Sequence, residues 1–283
     1  MSRAGSAALG LLLRAVSAPW LSRWAGRLAD LRLPGPLLRA AIRAYSRLYA
    51  VDWSEVAEPL EAFPTFNAFF TRRLRDGARA VAGGRCVVSP SDSRLFAFGA
   101  IPKDGRLEQI KGRNYSMEAL LGSAEDAALF REGLYATLYL SPSMYHRVHS
   151  PVDGRIRSWR YLPGRLFPVN SVAVRSVDGL FTVNERVVVL LETDAFGPVA
   201  VVLVGATNVG RISLAFVDLV TNVGRPAART EAPSPIPIAR GDDLGVFNLG
   251  STVVLLVANS ALRPAGPAPG DLVRMGQALW QQA

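Results

Sequence analysis

The sequence predicts an α+β chain that is mainly β, with amphipathic helices at its amino-terminal end. From about residue 85, short β-branched runs alternate with Gly, Pro, Asn and Asp, the texture of strands and turns. Before residue 50, apolar residues recur instead at three- and four-residue spacing. With 283 residues, 49% hydrophobic and 19% charged, the chain can bury a full core, which excludes a disordered or collagen-like polypeptide.

The amino-terminal region comes first. Residues 1–50 carry eight arginines against one acid, Asp30, so most of the net charge of +9 is concentrated there. Leu9, Leu12, Leu13, Val16 and Trp20 fall at helical spacing, and Pro19 and Pro34-Gly35-Pro36 break the region into pieces. A second helix is expected from Leu37, with Leu38, Ile42, Tyr45 and Tyr49 as its apolar stripe and Arg39, Arg43 and Arg47 beside it. Such a helix can lie in the interface of an anionic bilayer, with Trp20 and Trp24 at head-group level, or pack on its own domain with a solvated Arg face. Both readings stay open at this level. No run approaches the ~18 apolar residues of a membrane-spanning helix, and the block Leu9 to Leu13 is too short for a secretory signal. Zinc-finger spacing and aromatic RNA-binding strands are missing from the sequence, so nucleic acid is not an expected partner. The expected division is a basic helical region, residues 1–60, followed by a β-rich catalytic domain, residues 61–283.

Within the β-rich part, strands are expected over 95–99, 134–140, 154–161, 186–192, 199–204, 211–217 and 252–258, with short helices over 117–121 and 124–131. The proline-rich stretch from Pro226 to Pro237 reads as a mobile loop. One local duplication stands out. Ser89-Pro-Ser-Asp92-Ser-Arg-Leu and Ser150-Pro-Val-Asp153-Gly-Arg-Ile share the pattern S-P-x-D-x-R-[LI], a turn entering a strand, and suggest two related loops in a pseudo-symmetric core.

Chemistry is narrowed by scarcity. One cysteine, Cys86, and two histidines leave no internal disulfide and no Cys/His zinc site, so no metal is expected. Histidine mechanisms must run through His146 and His149, which lie three apart and converge only if the chain bends there. Leu249-Gly250-Ser251-Thr252 enters an apolar strand, and Gly250 permits backbone geometries in which a hydroxyl can attack the carbonyl before it. Asp92, His149 and Ser251 supply the residue types of an acid-oriented base and an activated hydroxyl.

At this point the chain closely resembles the phosphatidylserine decarboxylases. The shared motifs run in order from Phe66-Asn-Ala-Phe-Phe-Thr-Arg-Arg-Leu-Arg75 through Ile110-Lys-Gly-Arg-Asn-Tyr-Ser116, Tyr139-Leu-Ser-Pro-Ser-Met-Tyr-His-Arg-Val-His149, Val169-Asn170, Asn184-Glu-Arg186, Phe196-Gly197 and Val204-Gly-Ala-Thr207 to Leu249-Gly-Ser-Thr252. The resemblance implies a sandwich-barrel hybrid β core and a proenzyme that cuts itself between Gly250 and Ser251, leaving a large chain, 1–250, and a small chain, 251–283. Ser251 then becomes a covalent pyruvoyl group, an electron sink of the kind pyridoxal phosphate provides elsewhere, so neither pyridoxal phosphate nor a metal is expected. By the same resemblance His149 is the base of self-cleavage, Asp92 its orienting acid with Asp153 as rival, and His146 serves decarboxylation. Tyr145, Arg147 and Asn170 are candidates for contact with the substrate head group. Phosphatidylserine in an anionic membrane surface is the expected partner, and a homo-oligomer stays open. The Arg-rich, Lys-poor composition points to the cytoplasmic face of a bacterial inner membrane, with the mitochondrial inner membrane as alternative. Three rivals remain: a pyridoxal enzyme using Lys103 or Lys111, a serine hydrolase using Ser251 and His149, and a lipid-binding module in which Gly250-Ser251 is only a turn.

Overall fold

The computed structural model describes residues 17, 19–110, 112–169, 171–207, 211–222, 228–248 and 251–282. The expected helical stripe from Leu9 to Val16, Lys111, Asn170 and Gly250 lie outside these residues, as does the side chain of Ser251.

The strands are β1 (Cys86–Val88), β2 (Ser93–Ala100), β3 (Arg106–Ile110), β4 (Arg113–Ser116), β5 (Leu134–Leu140), β6 (Arg147–His149), β7 (Gly154–Leu162), β8 (Arg186–Thr193), β9 (Gly197–Gly205), β10 (Ile212–Leu214), β11 (Ala228–Ile238), β12 (Asp243–Phe247), β13 (Ser251–Val257), β14 (Arg263–Pro264), β15 (Leu272–Val273) and β16 (Ala278–Gln281). Eight of them form one antiparallel sheet in the order β11-β7-β8-β9-β13-β5-β2-β15. The mainly β, α+β prediction holds, and among the described residues the large sheet ends at two edges, β11 and β15, without closing into a barrel. The central strands β8, β9 and β13 are covered on both faces, which explains why they read as continuous apolar runs instead of alternating. The stretch expected to be a mobile loop is instead β11 from Ala228 onward, an edge strand paired with β7. Its prolines are tolerated because an edge strand leaves half its N–H groups without a ladder partner, and the register breaks between Glu231 and Ile236.

The duplicated motif is the visible part of a larger internal repeat. Val88 N–H donates to Pro151 O at 3.0 Å and His149 N–H to Pro90 O at 2.8 Å, so the two loops hold each other. Ser89 and Ser150 close the same turn, each hydroxyl donating to the carbonyl two residues on at 2.7 Å. Their carbonyls each accept at 2.9 Å from a left-handed glycine, Gly276 (φ 85°) and Gly241 (φ 92°) respectively. The pairings β1 with β16 and β6 with β12 share one register and one irregularity, and β2 with β15 matches β7 with β11. The two acids also accept equivalent bonds, from Met275 N–H at 2.8 Å and Arg240 N–H at 2.9 Å, but Asp92 is buried whereas Asp153 stands in an exposed turn.

Two longer helices, α1 (Pro19–Ala29) and α2 (Gly35–Tyr49), and the short α3 (Phe66–Phe70) form a layer at one end of the sheet. Leu38 and Ile42 of α2 are buried with Val51, Val56, Phe63 and Phe69 in a second, smaller core, so of the two readings of this stripe it is the packing on its own domain that the structure shows. The outward apolar face belongs to α1, where Trp20, Trp24 and Leu28, four residues apart, are each more than half exposed beside Arg23 and Arg27. Tyr45 ties the layer to the sheet by donating to Pro142 O at 2.7 Å, and Asn67 donates to Asn248 Oδ1 at 3.0 Å. No helix among the described residues is long and apolar enough to cross a membrane.

Candidate active site

Ser251 is the first residue of β13, in register with Leu140 of β5 on one side and Gly205 of β9 on the other. It therefore stands at the end of the central strands, beneath the helical layer that Asn248 meets. Asn184 fixes Gly205 from behind: its amide donates to Gly205 O and Phe167 O, both at 2.9 Å, and its carbonyl accepts from Phe167 N. The Asn184-Glu-Arg motif is thus a brace for the strand opposite Ser251. Its middle member, Glu185, is buried and takes Thr221 and Tyr161 hydroxyls at 2.5 and 2.9 Å; burial raises its pKa.

The segment from Ser141 to His149 turns at Ser141–Met144 and then enters β6, which sends the two histidines to different surroundings. His149 ends β6 and opens onto a cleft of about 530 Å³ lined also by Tyr145, Arg147, Arg79, Asp243 and Arg73. Its Nδ1–H donates to Gly241 O at 2.8 Å, because a carbonyl can only accept. Nε2 is then the acceptor, and Tyr145 Oη donates to it at 3.0 Å. Burial pushes the His149 pKa down; Asp243 opposes this, with Oδ1 3.6 Å from Nε2. His149 is therefore a neutral base whose basic lone pair, on Nε2, accepts from the Tyr145 hydroxyl.

His146 is fully buried against Phe70, ring centroids 4.2 Å apart. Its Nδ1–H donates to Met144 O at 2.8 Å and its Nε2 has no partner. Burial pushes its pKa down to about 3. A buried nitrogen without a partner is available to a group that a ligand would bring.

Asp92 and His149 are not in contact. Arg79 grips Asp92 through Nε and Nη2 at 2.8 and 2.5 Å, and Met275 N–H donates to Asp92 Oδ1 at 2.8 Å. Arg79 also reaches Glu55 at 2.8 Å, linking Asp92 to the segment after α2. The carboxylate beside His149 is Asp243, held by Arg147 through two bonds of 3.0 and 2.7 Å; that pairing lowers the Asp243 pKa against the upward pull of burial. Arg147 is thereby engaged by a protein carboxylate. Asp153 accepts only from Arg240 N and lies away from both histidines' hydrogen bonds.

Sequence reasoning missed Asp243 and Arg79. Asp243 had a signal, an acid eight residues before Ser251 in the turn Gly241-Asp-Asp, whereas nothing local marks Arg79, whose partners lie 13 and 24 residues away.

The chain is similar to known proteins over most of its length. A family profile described as phosphatidylserine decarboxylase matches residues 66–281. The chain is 46% identical over 264 residues to a phosphatidylserine decarboxylase proenzyme of Anaeromyxobacter sp. (strain K), covering 92% of this chain and 93% of that one. It is 44% identical over 237 residues to the proenzyme of Myxococcus xanthus (strain DK1622), 83% and 84% of the two chains. A third relative, from Shewanella halifaxensis (strain HAW-EB4), is 43% identical over 269 residues, 92% and 93%.

Proposed function

The chain belongs to the phosphatidylserine decarboxylase family, and on that premise we propose how its residues perform the reaction. The protein is a self-processing carboxy-lyase of phospholipid biosynthesis that converts phosphatidylserine to phosphatidylethanolamine and carbon dioxide. Self-cleavage falls between Gly250 and Ser251. The observation that carries this reading is the state of His149, a neutral imidazole whose Nδ1–H is committed to Gly241 O, leaving Nε2 to take the Ser251 hydroxyl proton. Asp243 faces that same nitrogen and stabilises the imidazolium once it forms, while Asp92, neutralised by Arg79, adds a weaker favourable field. Tyr145 holds Nε2 until the serine engages it.

Ser251 so processed carries a pyruvoyl group, whose carbonyl accepts the electrons left when carbon dioxide departs. The strand it heads stays hydrogen-bonded to β5 and β9 after the cut, so the small chain remains at the centre of the sheet. His146 Nε2, which is bare in the neutral ring because the Nδ1–H is given to Met144 O, then takes a proton from solvent admitted with the substrate and delivers it to the product carbon. Asn170 remains a candidate for head-group contact. Residues 1–60 dock the enzyme on an anionic membrane surface and residues 61–283 carry the chemistry. The docking face is the Trp20, Trp24 and Leu28 stripe with Arg23 and Arg27, because lipid acyl chains cannot leave the bilayer without exposing apolar surface. In a bacterium this is the cytoplasmic face of the inner membrane.

The test is the mass of the denatured protein. Two chains divided after Gly250 are expected, the smaller lighter than its Ser-initiated form by one ammonia. Ser251→Ala should leave one uncut, inactive chain, whereas His146→Ala should still cut but decarboxylate poorly. Cutting at the same bond in the Ser251 variant would refute the mechanism.

A further inference from the structure

Two arginines, Arg72 and Arg186, are buried and a third, Arg79, has its side chain largely covered, and they differ in how their donors are used. Arg186 gives Nε, Nη1 and Nη2 to the carbonyls of Leu120, Thr182, Asn184 and Ala119 at 2.6 to 2.9 Å. Arg79 is gripped by Asp92 and Glu55. Arg72, only 5% exposed, has no partner for Nε or Nη1, and its Nη2 reaches Ser143 O at a long 3.5 Å. Its guanidinium carbon lies 5.1 Å from the Phe69 ring centroid, which supports one face of the ion but satisfies none of its N–H groups. A guanidinium keeps its charge in a protein, so two unmet donors on a buried cation are costly unless something else binds there.

Arg72 lines a pocket of about 390 Å³ together with Tyr49, Ser93, Ser143, Tyr145 and Leu272. That volume falls in the range of about 300 to 1,000 Å³ typical of small-ligand sites. Three acidic groups also border it: Asp92 and Glu55 are paired with Arg79 and Arg274, and Asp52 accepts from Ser54. The rim is mixed: Tyr49 and Leu272 are exposed there beside Asp52 and Arg274, and Leu48 next to Tyr49 is 75% exposed. Ser143 lies between Leu140, the register partner of Ser251, and His146, so Arg72 touches the segment that joins the two reacting residues.

We propose that Arg72 is the receptor for the phosphodiester of the phospholipid head group. This rests on the reading of the chain as a phosphatidylserine decarboxylase. The head group offers two oxyanions, and the chemistry separates them. The carboxylate loses its charge as carbon dioxide forms, so a cation locked to it would stabilise the ground state more than the transition state. The phosphodiester keeps its charge throughout, and a planar guanidinium matches it bidentately end-on, through the unmet Nη1 and through Nη2, whose bond to Ser143 O is long at 3.5 Å, while holding the reacting end in place. Arg72 is thus a binding residue that acts before and after carbon dioxide leaves.

Calorimetry with glycerophosphoserine and glycerophosphoethanolamine tests this, since the second probe has the phosphodiester and no carboxylate. Arg72→Gln should weaken both probes by about 10- to 100-fold, the range for a charge-assisted pair, and raise KM with kcat within a few-fold. A loss confined to glycerophosphoserine would make Arg72 a carboxylate receptor, and no loss for either would remove the site; each overturns the proposal. Self-cleavage of Arg72→Gln, read from its mass, should remain complete, and failure to cut would mark a structural role instead. Wild-type protein supplies an arm that needs no variant: glycerophosphoethanolamine should compete with substrate where ethanolamine does not, and equal competition by ethanolamine would overturn the idea. Binding of glycerophosphoethanolamine does not require cutting, so an uncut, inactive wild-type chain would count against the function and leave the binding result to stand by itself.

Discussion

His146 is buried neutral, and that has a measurable consequence for stability. In the unfolded chain its pKa is the ordinary 6.5, whereas in the folded protein burial holds it down to about 3. As pH falls through 6.5 the unfolded state takes up a proton that the folded state refuses, so stability is full above 6.5 and declines toward pH 3. Between pH 7.5 and 5.0 the term amounts to about 2 kcal/mol. For 283 residues the unfolding entropy is roughly 0.6 kcal/mol per degree, so the same change lowers Tm by about 3 °C. The perturbation is His146→Leu, made in a Ser251→Ala background so that one uncut chain unfolds. At pH 7.5 the variant should lose about 1 kcal/mol with its bond to Met144 O. From pH 7.5 to 5.0 its Tm should then fall by about 3 °C less than the parent's, since His149 and the carboxylates titrate alike in both. Thermal melts at the two pH values decide the matter. Equal pH dependence in the two proteins would show that His146 is protonated or exposed when folded, and the argument for an orphaned Nε2 would fall with it.

Asp243 favours the protonated form of His149 from 3.6 Å, so Asp243→Asn should move the acid limb of self-cleavage to lower pH, measured by pulse-labelled cell-free synthesis across pH 4.5 to 8; a shift to higher pH would contradict the assignment. The same variant leaves Arg147 without its carboxylate and should cost about 1.5 to 3 kcal/mol by urea unfolding. Replacing Trp20 and Trp24 together by Glu should reduce co-sedimentation with phosphatidylglycerol-containing vesicles by about tenfold or more while self-cleavage stays complete; unchanged binding would place the docking face elsewhere.

Several elements were legible because their signal is local. Met117–Leu121 lies between the capping Ser116 and left-handed Gly122, and Leu134–Leu140 and Gly154–Leu162 carry enough β-branched and aromatic residues to mark themselves. The ordered motifs from Phe66 to Thr252 pointed to the family, since decarboxylation needs particular side chains and those are written residue by residue. The sequence alone also determined that any histidine mechanism must use His146 or His149. Tertiary structure decided what each residue does there. Pro226 to Pro237 looked like a loop because proline cannot serve an interior ladder, and only the position of β11 at a sheet edge makes it a strand. The α2 stripe could have faced lipid or protein, because an amphipathic pattern states that one face is covered without saying by what; Val56, Phe63 and Phe69 cover it. Asp92 and Asp153 share one motif, yet Arg79 buries the first and solvent surrounds the second. Asp243 came to His149 through the pairing of β12 with β6, a contact across 94 residues that no local pattern records. Burial and long-range pairing set proton affinities and partners, and both are properties of the folded chain.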